Sequence, residues 1–170
     1  STDPKDWGLI EAAFVRANGA AAPPSPAYGI LDSFGPNVTT RKGARMLGLS
    51  SGQARVPGQP DACGTQSCVG PAGTAPAGFP QNPPSCPVSS VINDDIGLQA
   101  ELRAKSNANG FAFDFRFYSF EYPEYVCTTY NDQFIALVSP APPGSLNGNV
   151  SFDSANNPVS VNLGLFTVCD

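Results

Sequence analysis

The sequence predicts an all-β protein: a β-sandwich of jelly-roll type whose long Gly/Pro-rich loops are stapled by disulfides. The 170 residues include 17 glycines and 18 prolines, so turns are frequent. Hydrophobic residues make up 41% of the chain and eleven are phenylalanines, which is enough for a packed core. The most regular alternation is at residues 111–117, where four phenylalanines alternate with Ala112, Asp114 and Arg116. A period of two predicts a strand with one buried aromatic face, covered by a second layer.

The length predicts a single domain over residues 1–170, with residues 53–91 as a long Gly/Pro/Cys-rich loop insertion. Before this insertion, residues 7–18 predict a strand, although an amphipathic helix is the alternative. Residues 28–31 and 44–49 predict two further short strands.

After the insertion, residues 91–105 are compatible with a helix or with a strand over 97–104. The strand is favoured because the turn sequence Asn107-Ala108-Asn109-Gly110 follows it. Further predicted strands cover residues 133–139, 150–152, 159–162 and 165–169. A chain made mostly of short strands with long connections favours the sandwich.

The net charge of −5 is placed unevenly along the chain. Residues 1–110 carry eight acids and eight bases, whereas residues 111–170 carry six acids and one base. An acidic last third argues against nucleic acid as a partner and is compatible with a cation site. No apolar run is long enough to predict a membrane span.

The cysteine pattern predicts disulfides and an oxidising, extracellular compartment. Zinc spacing is absent, and the chain has no histidine. Proximity favours a Cys63–Cys68 pair, and position beside predicted strands favours Cys127–Cys169 as the second pair. Cys86 is then left alone, either as a free thiol or with a partner outside residues 1–170.

The absence of histidine closes the Ser-His-Asp and Cys-His routes to catalysis. Glu121 with Glu124, or Glu124 with Asp132, is compatible with the paired carboxylates of a glycoside hydrolase. Paired carboxylates in loops more often form ion pairs or hold metals, so we expect that the protein is not an enzyme.

Calcium is the expected cofactor, because four hard oxygen ligands fall within a short stretch. They are Glu121, Glu124, Asn131 and Asp132. The alternative is that Asn131 and Asp132 form a turn that caps its own backbone, while Glu121 pairs with Arg116.

The segments EYPEYV, within residues 119–126, and NDQF, at residues 131–134, resemble the bacterial choice-of-anchor L domain family. LSSG at residues 49–52 and PVSVN at residues 158–162 agree with the same family, so the resemblance spans roughly residues 29–161. It implies a β fold in a secreted or cell-surface protein, with a structural, adhesive or matrix role. It assigns no activity. A lectin-like module that stacks sugars on tyrosines is the alternative; those residues are Tyr118, Tyr122, Tyr125 and Tyr130.

The resemblance also implies that the domain is incomplete at its C-terminus. Family members continue beyond the PVSVN segment into a further tryptophan-containing region, whereas this chain ends at Asp170. The odd number of cysteines agrees with that expectation. The expected partners are therefore the C-terminal remainder of the same precursor, or neighbouring subunits that donate a strand to form a filament or matrix.

Overall fold

A computed structural model describes residues 7–35, 38–63, 68, 72–81, 86–87, 89 and 91–162. Within these ranges the regular structure is entirely β, which confirms the predicted mostly-β class. The six strands are β1 (Gly8–Val15), β2 (Tyr28–Leu31), β3 (Met46–Leu49), β4 (Gly73–Thr74), β5 (Val91–Ile92) and β6 (Gly97–Arg103). They form three two-stranded antiparallel sheets, β1–β6, β2–β3 and β4–β5. No helix in the described ranges is long and apolar enough to cross a bilayer.

The chain divides into two compact units where the sequence predicts a single domain. Unit 1 contains Ser1–Thr74 and Val91–Asp114, and unit 2 contains Ala75–Ser90 and Phe115–Asp170. The predicted loop insertion at residues 53–91 is divided between the two units, and its described part includes β4 and the first residue of β5.

The longest sheet of unit 1 joins two segments that are far apart in sequence. β1 pairs with β6 from Gly8 opposite Arg103 to Val15 opposite Gly97, with an irregularity between Leu9 and Glu11. This pairing confirms a strand for both segments, where a helix was the alternative. The backbone hydrogen bonds of a helix are local, whereas a strand needs a partner strand. The pairing of these two distant segments therefore distinguishes a strand from a helix.

The small apolar core of unit 1 lies beside the β2–β3 sheet. Its buried members are Ala27, Leu31 and Ala54. Leu31 packs closely over Gly48, where an added Cβ would lie 2.8 Å from the leucine Cδ1. Glycine at position 48 therefore lets the leucine approach the backbone of β3. Beside this core, the Phe14 ring stacks on Tyr28 at 4.1 Å between centroids.

The prediction for residues 111–117 is wrong, because this segment forms no strand. Phe111, Phe113 and Phe115 are exposed, and only Phe117 is half-buried. The boundary between the two units falls within the segment, between Asp114 and Phe115. An alternating pattern creates an aromatic face, but the face is buried only where a partner strand and a second layer are supplied.

Unit 2 is held by backbone hydrogen bonds among three extended segments, residues 132–138, 148–152 and 158–161. Phe134 N donates to Val159 O at 2.9 Å, and Val150 N donates to Ala136 O at 2.9 Å. The segments are joined by isolated bridges rather than ladders. The strands predicted at 133–139, 150–152 and 159–162 are therefore extended, but they are not continuous strands. The strand predicted at 165–169 lies outside the described residues.

The centre of unit 2 is polar. The Asn149 side chain is fully buried, and its Oδ1 accepts hydrogen bonds from Ser151 N at 2.9 Å and Ala136 N at 3.2 Å. Its Nδ2 donates to Gln81 Oε1 at 3.1 Å, and the Gln81 Nε2 group donates to Leu146 O at 2.9 Å. These bonds satisfy backbone groups that the incomplete ladders leave without partners.

Candidate functional site

The candidate site is residues 118–132 of unit 2, which fold as successive tight turns. Glu121 N donates to Ser119 Oγ at 3.0 Å, and Tyr125 N donates to Glu121 O at 2.9 Å across the cis Tyr122–Pro123 bond. Thr128 N then donates to Tyr125 O at 3.1 Å. This turn chain bends the backbone sharply and directs large side chains outward.

Cys127 anchors the middle of the turns. It forms a disulfide with Cys86, with 4.7 Å between the two Cα atoms. Its backbone N–H donates to the Oδ1 of the buried Asn162 at 2.7 Å. The residue has a φ of 55°, a left-handed conformation that these two restraints hold in place.

The second predicted disulfide, Cys127–Cys169, is wrong, and so is an unpaired Cys86. The structure joins Cys63 to Cys68, the pair that proximity favoured, with 6.1 Å between the Cα atoms. Cys169 lies outside the described residues. Cys86 and Cys169 lie at similar sequence distances before and after Cys127, so spacing does not decide between them and only folding brings Cys86 into bonding distance.

The four predicted calcium ligands differ in exposure. Glu124 is exposed, whereas Glu121, Asn131 and Asp132 are half-buried. Within the described part of the chain, no three Asp, Glu, His or Cys side chains come together in a group that could hold a metal. The Asp132 backbone carbonyl accepts a hydrogen bond from Val161 N at 3.1 Å, which ties this residue to the extended segment at residues 158–161.

The four predicted ligand-binding tyrosines also differ in exposure. Tyr118, Tyr125 and Tyr130 are exposed, and Tyr122 is half-buried. The rings of Tyr125 and Tyr130 meet edge to face, with 5.7 Å between centroids. The Thr128 hydroxyl, which donates to Tyr125 O at 2.8 Å and accepts from Tyr130 N at 3.2 Å, holds the backbone between these two rings.

Phe120 is the most exposed large apolar side chain of this segment, at 83%. Sequence reasoning missed it, because an isolated phenylalanine among polar residues carries no periodic signal. The site therefore presents aromatic surface rather than a cluster of charges. Such a surface can bind apolar side chains or the apolar faces of sugar rings.

The half-buried glutamines that support the site were also missed. Gln133 accepts from Gln81 N at 3.2 Å through its Oε1 and donates to Gln81 O through its Nε2. The two glutamines are distant in sequence, and no local pattern predicts that their side chains pair.

Comparison with known proteins adds no assignment: no protein-family model, curated protein or solved structure matches this chain.

Proposed function

We propose that the protein is a secreted or cell-surface structural and adhesion module, and not an enzyme. The observation that carries the proposal is the set of exposed aromatic rings on the turns of unit 2, namely Tyr118, Phe120, Tyr125 and Tyr130. Large aromatic side chains exposed on anchored turns are typical of surfaces that bind a partner.

Two further features support this proposal. Two disulfides fit an oxidising, extracellular compartment. The EYPEYV and NDQF segments resemble choice-of-anchor L domains, and on that basis we propose a jelly-roll-like sandwich. We propose that it assembles with neighbouring subunits, or with the remainder of the same precursor, by strand donation.

Adhesion is tested with beads coated with the protein and applied to the cells that produce it. We expect the wild-type beads to be retained, and a Tyr118→Ala/Phe120→Ala/Tyr130→Ala variant to lose most of that retention. Phe34→Ala, which removes an exposed ring from unit 1, is the matched control and should bind like the wild type. Equal retention of all three proteins, or of none, contradicts the proposal.

The alternative is a carbohydrate-binding module, and the Tyr125–Tyr130 pair favours it. The two rings are 45% and 63% exposed and nearly perpendicular, with an interplanar angle of 79°. Two such rings offer one stacking face and one edge to a sugar. A glycan array should then show binding that Tyr125→Ala abolishes and Tyr125→Phe retains, because phenylalanine keeps the stacking face.

Calcium binding at Glu121, Glu124, Asn131 and Asp132 remains a prediction from residue type and spacing. Calcium added to the chelator-treated protein should raise the melting temperature if the site exists. Glu124→Gln should abolish that rise, and Asp61→Asn, an exposed acid of unit 1, should not. A melting temperature unaffected by calcium removes the cofactor from the proposal and leaves adhesion untouched.

A further inference from the structure

The β1–β6 sheet of unit 1 is an amphipathic two-stranded ribbon. Residues directly opposite each other on antiparallel strands share a face. The opposed pairs Leu9/Leu102, Ala12/Ala100 and Phe14/Leu98 therefore form one apolar face. At the irregularity between Leu9 and Glu11, β1 contains one extra residue. This extra residue shifts the alternation of side chains along β1, so that Leu9 lies on the same face as Leu102.

The other face carries charges in an unfavourable arrangement. Glu11 lies directly opposite Glu101, so two carboxylates face each other across the strands. Arg103, two residues further along β6, points to the same face. No described residue forms an ion pair with Glu11, Glu101 or Arg103. Among the described residues, the ribbon thus carries two facing carboxylates and a nearby arginine without an ion-pair partner.

The outer edge of β6 has no strand partner in the part of the chain that the structure describes. No described residue makes a backbone hydrogen bond to the side of β6 that faces away from β1. The outer edge of β1, by contrast, is already occupied near its end. There Ala22 N donates to Phe14 O at 3.0 Å, and Val15 forms a bridge with Ala21.

We infer that β6 pairs edge to edge with β6 of a second copy of this chain, antiparallel and centred on Leu102. This inference deepens the proposed role as an assembling structural module and rests on it. In this register Leu102 lies opposite Leu102 of the second copy, and Glu101 lies opposite Arg103 of the second copy, twice by symmetry. Each Arg103 also supplies the positive charge that the Glu11–Glu101 pair lacks.

The sequence around Leu102 is self-complementary, and this identifies a second copy as the occupant. Glu101 and Arg103 lie on either side of Leu102. A two-fold axis at Leu102 therefore places each glutamate opposite the arginine of the other copy. Charged residues on an edge strand usually prevent it from pairing with another chain. Here the negative and positive residues are spaced so that opposite charges face each other when two copies pair. A two-stranded ribbon is marginal in water, and pairing produces four strands, β1–β6–β6–β1. Because the end of the β1 edge is occupied, the assembly closes at two copies rather than continuing as a filament.

The experiment is sedimentation equilibrium of the whole chain at concentrations up to about 1 mM, which detects even weak association. We expect a monomer–dimer equilibrium. Arg103→Glu places four glutamates at the interface and should raise the dimer dissociation constant by about tenfold or more. The charge-swapped Glu101→Arg/Arg103→Glu variant should recover dimerisation. Lys42→Glu, an exposed substitution of the same charge change in unit 1, should leave it unchanged.

A cysteine substitution tests the register. Opposed residues of antiparallel strands have Cα atoms about 4.5–5.5 Å apart, within the range of a disulfide. Leu102→Cys should therefore form a disulfide with its symmetry mate, identified by mass spectrometry of non-reduced peptides. Leu98→Cys lies four residues from the axis and should not.

Three results would overturn the inference: a monomer at every concentration, a dimer that Arg103→Glu does not weaken, or a cross-link at position 98 instead of 102. None of them affects bead retention by the unit 2 aromatics, so failure of the dimer and failure of the adhesion proposal are distinguishable.

Discussion

The carboxylate of Asp95 accepts a hydrogen bond from the backbone N–H of Ala17 at 2.7 Å, joining two residues 78 positions apart. Asp95 is 4% exposed, and its other oxygen, Oδ2, is buried with no hydrogen-bond partner among the described residues. The bond fixes the turn that follows β1 against the segment that precedes β6. It therefore supports the ribbon at the end where Val15 faces Gly97.

We expect Asp95→Ala to lower the free energy of unfolding by about 1–3 kcal/mol, because it leaves the Ala17 N–H without its acceptor. Asp95→Asn keeps an acceptor oxygen and removes a buried charge, so it should lie within about 1 kcal/mol of the wild type. Urea denaturation at neutral pH measures the free energy of unfolding of both variants.

Asp32→Ala, which removes only the exposed 3.6 Å ion pair with Arg45, is the control and should change stability by less than about 1 kcal/mol. Equal losses for the alanine and asparagine variants of Asp95 would contradict the role of the hydrogen bond.

Asn149 is expected to be the most sensitive polar residue of unit 2. Asn149→Leu is close in size but removes the acceptor for Ser151 N and Ala136 N and the donor to Gln81. The loss of stability should be about 2–4 kcal/mol, measured by thermal denaturation. Asn109→Leu, at an exposed position, provides the comparison and should be nearly neutral. A tolerated leucine at position 149 would mean that the polar centre is dispensable.

The two disulfides should contribute unequally. On the loop-entropy relation, closing the Cys86–Cys127 loop, with its sequence separation of 41, is worth about 4 kcal/mol. The same relation assigns about 2 kcal/mol to Cys63–Cys68, which has a separation of 5. We therefore expect Cys86→Ser/Cys127→Ser to lower the melting temperature more than Cys63→Ser/Cys68→Ser. Non-reducing peptide mapping provides a direct check, and a Cys127–Cys169 linkage would refute the pairing.

Acid should weaken one turn of unit 2 through Asp153. Hydrogen bonds from the Asn157 side chain at 3.0 Å and the Asn157 backbone at 2.8 Å, with a smaller contribution from Ala155 N, lower the pKa of Asp153 below its ordinary 3.8. Because the pKa of Asp153 is lower in the folded state than in the unfolded state, the ionised carboxylate stabilises the turn at pH values above the unfolded-state pKa. This contribution is lost as the pH falls through the lower, folded-state value.

We expect an NMR titration of the Asp153 carboxyl carbon to give a midpoint below 3.8. Asp153→Asn should remove this contribution to the loss of stability at low pH. Asp114→Asn, which changes an exposed acid of unit 1, should retain it. A midpoint at or above the ordinary value would show that these hydrogen bonds do not favour the ionised form.

The sequence by itself determined the local elements that depend on a short window. Alternation and turn residues located β2 and β3, and they favoured a strand at β1 and β6. The short spacing between Cys63 and Cys68 favoured their disulfide. Residue type likewise marked residues 118–132 as unusual, rich in tyrosines and acids. Each of these features is encoded within a few residues, since side-chain alternation and turn preference act locally.

The tertiary structure alone decided which distant segments meet. It paired Cys86 with Cys127, buried Asn149 and left Phe111, Phe113 and Phe115 exposed. It also placed Glu11 opposite Glu101. Each outcome depends on the chain entropy of closing long loops and on which partner covers a face, and neither quantity can be obtained from a local pattern. A strand pattern specifies that a face is apolar, whereas the fold specifies whether anything packs against it.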